Sequence, residues 1–166
     1  MTEPSRPVSL KPNTSVRTAA VRTDVFGFKE TGREGSVIRF KAPGDTEGSV
    51  VDIYEAKGFL RGHQGGGSVH HIAFRATDDA EQGKMAQKLV SNHGLRPTEQ
   101  KDRNYFRSIY FREPGGVLFE IATDIPGFAV DEPVATLGRD LKLPSFLEAH
   151  RKQIEGVLPN LEESVS

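Results

Sequence analysis

The sequence predicts an α+β fold: paired βαβββ units forming a curled mixed sheet, followed by a C-terminal helix. Three observations predict it. Short strands with partial alternation are set off by glycine-rich turns. Two segments have helical spacing and end at a glycine. The order helix, strand, strand occurs twice, so the halves read as degenerate copies of one unit, the first lacking most of its opening strand. At 166 residues the chain is long enough to bury a core without cross-links, as one domain or two small fused units.

Residues 1–13 are polar and carry Pro4, Pro7 and Pro12. They read as a flexible arm with a short strand at Val8-Ser9-Leu10. A helix is expected from Thr14 to Val25, with Val16, Ala19, Ala20 and Phe26 near one face and Gly27 as the stop. A strand over Gly35–Phe40 and another over Ser49–Glu55, joined at Pro43-Gly44-Asp45, should pair as an antiparallel hairpin. These elements make a first, incomplete unit over 14–62. Gly58 to Gly67 is glycine-rich and reads as a connector, either a hinge at Gly65-Gly66-Gly67 or a surface loop.

The second unit spans 68–124. Val69–Ala76 is its opening strand. Asp78 and Asp79 supply the N-cap of a helix to about Asn92. Met85, Ala86, Leu89 and Val90 make that helix's apolar face, and Gly94 ends it. Tyr105–Phe111 and Val117–Ala122 form a hairpin about Glu113-Pro114-Gly115-Gly116. Residues 125–166 are a C-terminal loop and a helix over Pro144–Val157, with Phe146, Leu147, Ile154 and Leu158 apolar.

Composition excludes several classes. There is no cysteine, so thiolate metal sites and cysteine nucleophiles are out, and the net charge of -1 argues against a nucleic-acid partner. No apolar run is long enough to span a membrane, and the N-terminus lacks a secretory h-region. A cytoplasmic protein is the expectation.

Two residues carry the strongest chemical signal. His70 and His71 open a strand, where neighbours point to opposite faces, so only one of them can face a concave sheet. Glu120 is an acid amid apolar residues, costly unless paired, protonated or bound to a cation. Alone, each has an ordinary reading, a satisfied core histidine or a strand-end glutamate. Together on one small sheet, His71 and Glu120 point to a metal site, although a facial triad needs one more histidine. Tyr110 can present a hydroxyl to a pocket, and Arg103, in the loop before it, can hold an anion. Otherwise they are a half-buried strand tyrosine and a surface arginine. His63, His93 and His150 read as solvated, and His63, set among glycines, is the one able to swing towards a site.

The runs Val69–Arg75, Asp102–Gly116 and Leu118–Asp124 resemble the vicinal oxygen chelate superfamily, which includes glyoxalase, the bleomycin-resistance proteins and the extradiol dioxygenases. Within it the chain is most similar, from Ala19 to Leu158, to the C-terminal half of ring-cleaving dioxygenases that act on hydroquinones. The resemblance implies a glyoxalase-like sheet curled around a metal. By position, His71 and Glu120 match two members of the family's iron-binding triad. His70, Arg103 and Tyr110 match residues that line the substrate pocket and assist proton transfer. The implied metal is iron(II), with manganese, zinc or nickel, or no metal at all, as alternatives. The implied partners are a small aromatic substrate, dioxygen and a second copy in a homodimer.

In relatives of this kind the remaining metal histidine comes from an N-terminal half, which is expected to be missing here, and the strand near Val8 has no histidine. A partner chain, waters, or His63 or His70 of a second copy would complete the set. The leading expectation is a ring-cleaving dioxygenase of aromatic diols. The alternatives are a non-catalytic binding or vestigial module, and another metal-assisted reaction such as isomerisation.

Overall fold

A computed structural model of the chain describes residues 8–10, 12–44, 48–55 and 63–159. The arm over residues 1–7, Asp45 of the first turn and positions 58–62 of the connector lie outside the described residues. The chain divides into two compact bodies, Met1–Ile125 and Pro126–Ser166.

The first body contains two βαβββ units. The first is β1 (Val8–Leu10), α1 (Pro12–Phe26), β2 (Lys29–Glu34), β3 (Val37–Lys41) and β4 (Val50–Glu55). The second is β5 (Ile72–Ala76), α2 (Asp79–His93), β6 (Lys101–Asp102), β7 (Arg107–Arg112) and β8 (Leu118–Thr123). Their sheets have the same order, β1-β4-β3-β2 and β5-β8-β7-β6. In each, the opening strand runs parallel to the last and the other pairs are antiparallel. The repeated α+β architecture therefore stands, with each sheet open rather than closed into a barrel. Both hairpins form where expected.

The sequence reading misses the same strand in both units. β2 and β6 are edge strands in which every residue is exposed. Such a strand has no apolar face and so no alternation to detect. The charges of β2, and the register shift between Glu30 and Gly32, suit an edge kept from pairing with another chain.

The two helices follow different rules. α2 is set by its caps. The Asp78 carboxylate accepts from the Glu81 amide at 2.8 Å, and Glu81 accepts from the Thr77 amide at 2.7 Å. At the other end Gly94 has φ 63°, and Leu95 N–H donates to Leu89 O. Leu89 is buried, but Val90 is 55% exposed, and the second fully buried residue is Gln82. Gln82 Nε2 donates to the carbonyls of Arg107 and Ile121 at 2.9 and 2.8 Å. That tie explains a buried amide on the sheet-facing side.

α1 buries part of the expected face, Phe26 with Ala19 packed against the core, and beside it a polar stripe that was not expected. Val16 is exposed, whereas Ser15, Thr18 and Arg22 are fully buried beside Val21, Val25 and Phe26. A polar stripe can go inside because acids meet it. Ser15 Oγ donates to Glu55 Oε1 at 2.6 Å, and Thr18 Oγ1 donates to the buried Glu113 carboxylate. Glu113 also accepts from the Val117 amide at 2.9 Å, which fixes the β7–β8 turn. Arg22 lies over the Phe119 ring at 5.5 Å, and its guanidinium nitrogens have no hydrogen-bond partner among the described residues. Burial pushes its pKa down to about 10, and the Glu113 charge opposes that.

An aromatic cluster forms the core. Phe26 of α1 stacks on Phe74 at 4.1 Å between ring centres and meets Phe111 and Phe119 at 6.4 and 6.5 Å. One side chain of the first unit thus touches three strands of the second. The remaining body, from Pro126, has short 3-10 turns at Phe128–Val130 and Val134–Thr136. The expected helix over Pro144–Val157 is a 3-10 segment, Ser145–His150, continuing into a single α-helical stretch, Arg151–Glu155. Its Phe146 is 76% exposed, so that segment lacks the buried face that would favour a longer α-helix.

Replacing Phe26 by Ala should cost about 3–5 kcal/mol in urea unfolding. Hydrogen exchange should accelerate in β7 and β8 together with α1, and acceleration confined to α1 would contradict the shared core.

Candidate metal centre

Glu120 is the third residue of β8 and is buried, with its side chain 4% exposed. Strand alternation puts Phe119 and Ile121 into the core and turns Glu120 to the other face. There it sits opposite Tyr110 on β7 and Ala73 on β5. His71 lies two residues before Ala73, and its Nε2 is 2.7 Å from Glu120 Oε2. The ring of His71 meets that of Tyr110 edge-on, with centres 5.9 Å apart.

One expectation about the histidines is corrected. β5 begins at Ile72, so His70 and His71 precede the strand and do not take opposite faces. Their rings converge instead, with Nδ1 atoms 2.9 Å apart. For His71 Nε2 to hold a cation, the ring must carry its proton on Nδ1, which then donates to His70 Nδ1. Tyr110 is fixed through its backbone, which exchanges hydrogen bonds with Thr98. Arg103 stands on a tight turn in which Asn104 has φ 65° and the Arg103 amide donates to Phe106 O. Its guanidinium lies over the Tyr110 ring at 5.7 Å and reaches the phenol oxygen at 3.5 Å, the outer limit of a hydrogen bond. His70, His71, Arg103, Tyr110 and Glu120 therefore gather on one face of the second sheet.

Sequence reasoning misses Ser108. It is fully buried on β7, on the same face as Tyr110, and its Oγ donates to Glu120 Oε1 at 2.5 Å. A buried serine inside a strand gives no sign of its partner, so only the sheet register could have found it. His93 is also read wrongly as a solvated loop residue. It closes α2, and its side chain is mostly buried against Asp24, Nε2 to Oδ2 at 3.0 Å. Asn92, desolvation, His93 and Lys88 act on Asp24, and the net effect holds its carboxyl below the usual range. His63 is exposed, and it lines a half-open cleft of about 430 Å³ with Gln64, Ser68, His70, Arg112 and Leu118.

The donor set fits a metal as far as it goes. The imidazole nitrogen and the carboxylate oxygen are in direct contact at ion-pair distance, and such a donor pair suits borderline divalent cations. Among the described residues no group of three His, Cys, Asp or Glu is gathered, so the pair supplies two ligands.

Known proteins share this arrangement of elements. Residues 22–121 match the Glyoxalase/Bleomycin resistance protein/Dioxygenase superfamily. A Bacillus subtilis (strain 168) protein named "Putative ring-cleaving dioxygenase MhqO" is 47% identical over 144 residues, covering 86% of this chain and 45% of its own. The chlorohydroquinone/hydroquinone 1,2-dioxygenase of Sphingobium indicum is 32% identical over 133 residues, covering 79% of this chain and 41% of its own. A crystal structure described as a putative dioxygenase from Bacillus subtilis superposes with a TM-score of 0.79 at 44% identity, over 92% of this chain and 49% of that one. The chain spans about half the length of the curated relatives it matches.

The first sheet carries an internal comparison. Asp52 is the third residue of β4, as Glu120 is of β8, and its cross-strand partner is Arg39 where Glu120 has Tyr110. Arg39 Nε and Nη2 each donate to Asp52 at 2.8 Å, a two-point pair that occupies both carboxylate oxygens. A guanidinium thus stands where the second sheet has the Tyr110 phenol, and it closes the acid from the β3 side. Hydrogen bonding from Arg39 holds the Asp52 carboxyl below its ordinary range, against desolvation. A depressed folded-state pKa contributes stability above the unfolded value and loses it as pH falls through the folded one. Arg39→Gln should therefore destabilise the protein at neutral pH. The difference from the unmodified chain should shrink once pH drops below the ordinary aspartate range, about 4. Urea unfolding across that interval checks it, and a difference that does not change with pH would contradict it.

Proposed function

The chain belongs to the Glyoxalase/Bleomycin resistance protein/Dioxygenase superfamily, and on that premise we propose that it carries the metal seat of a ring-cleaving dioxygenase for hydroquinone-like aromatic diols. His71 Nε2 and Glu120 Oε2 would hold the metal, iron(II) in this reading. The observation that carries the proposal is their 2.7 Å convergence on a buried sheet position. The names of the relatives support the substrate class: ring-cleaving dioxygenase, and chlorohydroquinone/hydroquinone 1,2-dioxygenase. When bound, iron(II) would act as a Lewis acid towards the diol and bring dioxygen to it.

The other residues act on the diol. Tyr110 and Arg103 orient it, the phenol by hydrogen bonding and the guanidinium by its charge. His70 Nδ1 accepts from His71, so the neutral ring carries its proton on Nε2 and can donate a hydrogen bond from there to a diol oxygen. The cleft that His70 lines with His63, Arg112 and Leu118 has room for an aromatic ring, and His71, Glu120, Tyr110 and Arg103 lie outside its lining. The remaining metal ligand comes from outside the described residues of one chain. A homodimer would provide it if the exposed His63 or His70 of one protomer reached the pair of the other.

A second reading rests on the two-residue donor set: a small-molecule binding module without turnover, or a metal-assisted isomerisation.

The test is metal analysis of the purified protein after iron(II) reconstitution, with dioxygen uptake on added hydroquinone. The proposal expects stoichiometric iron and uptake. Both should be lost in Glu120→Ala, with metal affinity falling by more than the ~10–100-fold typical of an outer-shell change. No bound metal would overturn the proposal in favour of the binding module. Metal without uptake would favour the isomerase reading.

A further inference from the structure

The two oxygens of Glu120 are not equivalent. Oε2 faces His71 Nε2 at 2.7 Å, and Oε1 accepts from Ser108 Oγ at 2.5 Å. We propose that Ser108 is a positioning residue that holds Glu120 as a one-oxygen metal ligand and so keeps one metal position open to an incoming molecule. This inference rests on the metal reading of the His71–Glu120 pair.

An ionised carboxylate only accepts hydrogen bonds, so the serine hydroxyl must be the donor. The bond is short, charge-assisted and fully buried, and water does not compete for it. Its geometry comes from the sheet rather than from a mobile side chain. β7 lies between β6 and β8, and Ser108 is paired with Lys101 on one side and Ala122 on the other. Serine has a single rotatable bond to its oxygen, so a fixed backbone leaves three staggered positions, and full burial beside Glu120 holds the hydroxyl in the one that reaches Oε1. With Oε1 engaged, a cation beside His71 meets only Oε2. Without that proton both oxygens are free, and a cation would draw in both and fill a further position. The position kept open in this way is one that an incoming diol oxygen or dioxygen would take.

Manganese(II) is the probe. Exchangeable inner-sphere waters are counted by water-proton relaxation in the unmodified protein, Ser108→Ala and Ser108→Cys. The cysteine variant keeps the volume with only a weak donor, and it carries the comparison if the alanine variant does not fold. Both variants should show one exchangeable water fewer than the unmodified protein. An unchanged count would overturn the proposal while leaving the metal reading in place. Failure of the unmodified protein to bind manganese(II) would overturn both. Infrared carboxylate bands of the unmodified protein on manganese(II) binding give an independent check. The wide splitting of a one-oxygen ligand is expected, and a two-oxygen pattern would overturn the proposal even if neither variant folds.

Discussion

The buried carboxylate of Glu120 is the constraint on which the second sheet depends. A charge at that depth is costly without partners, and removing one partner of such a pair is more damaging than never having had it. The fold meets the requirement from two directions. Ser108 donates from the neighbouring strand, and His71 approaches from the segment leading into β5. Because β5 and β7 flank β8, the partners come from both sides of the acid. What the residues surrounding Glu120 achieve is a carboxylate with one oxygen fixed and the other turned towards an imidazole.

The duplicated architecture shows how the same position can be used without a metal. In the first sheet the equivalent acid, Asp52, is closed by both donors of Arg39. An arginine cannot give up its proton and makes a permanent counter-charge, whereas a histidine can present a bare nitrogen. The partner's chemistry and the side it approaches from therefore separate a structural ion pair from a candidate metal seat on the same scaffold. The units are joined on the opposite side, where Phe26 meets Phe74, Phe111 and Phe119, and where the buried Thr18–Glu113 bond ties α1 to the turn between β7 and β8. That turn aligns the strands carrying Tyr110 and Glu120, so the shared core and the candidate site are mechanically linked.

Much of the fold was legible because its signals are local. Gly94 stops α2 because a left-handed residue is needed there, and Asp78 caps it because helix amides need an acceptor. The β7–β8 turn and the repeated element order follow from similar local chemistry. β2 and β6 were invisible because an exposed edge strand has no apolar side to betray it. α1 misled because its buried stripe is polar, and what makes Thr18 tolerable is Glu113, far along the chain. In the site, Glu120 stood out as an acid in an apolar strand, His70, His71, Arg103 and Tyr110 were candidates by residue type and position, and the family resemblance supplied their roles. Ser108 stayed hidden because a serine's role depends on what lies diagonally across the strand pair. The convergence of His70 and His71 was missed because the strand starts after them.

The central claim is that His71 and Glu120 form the metal seat. It is tested most directly by following the histidine ring nitrogens by nitrogen-15 NMR as cobalt(II) is added to the protein. The account predicts that the His71 signals respond first, at stoichiometric cobalt, with those of His70 next and those of His93 last. A His71 ring that does not respond, or a response shared equally among the exposed histidines, would contradict it.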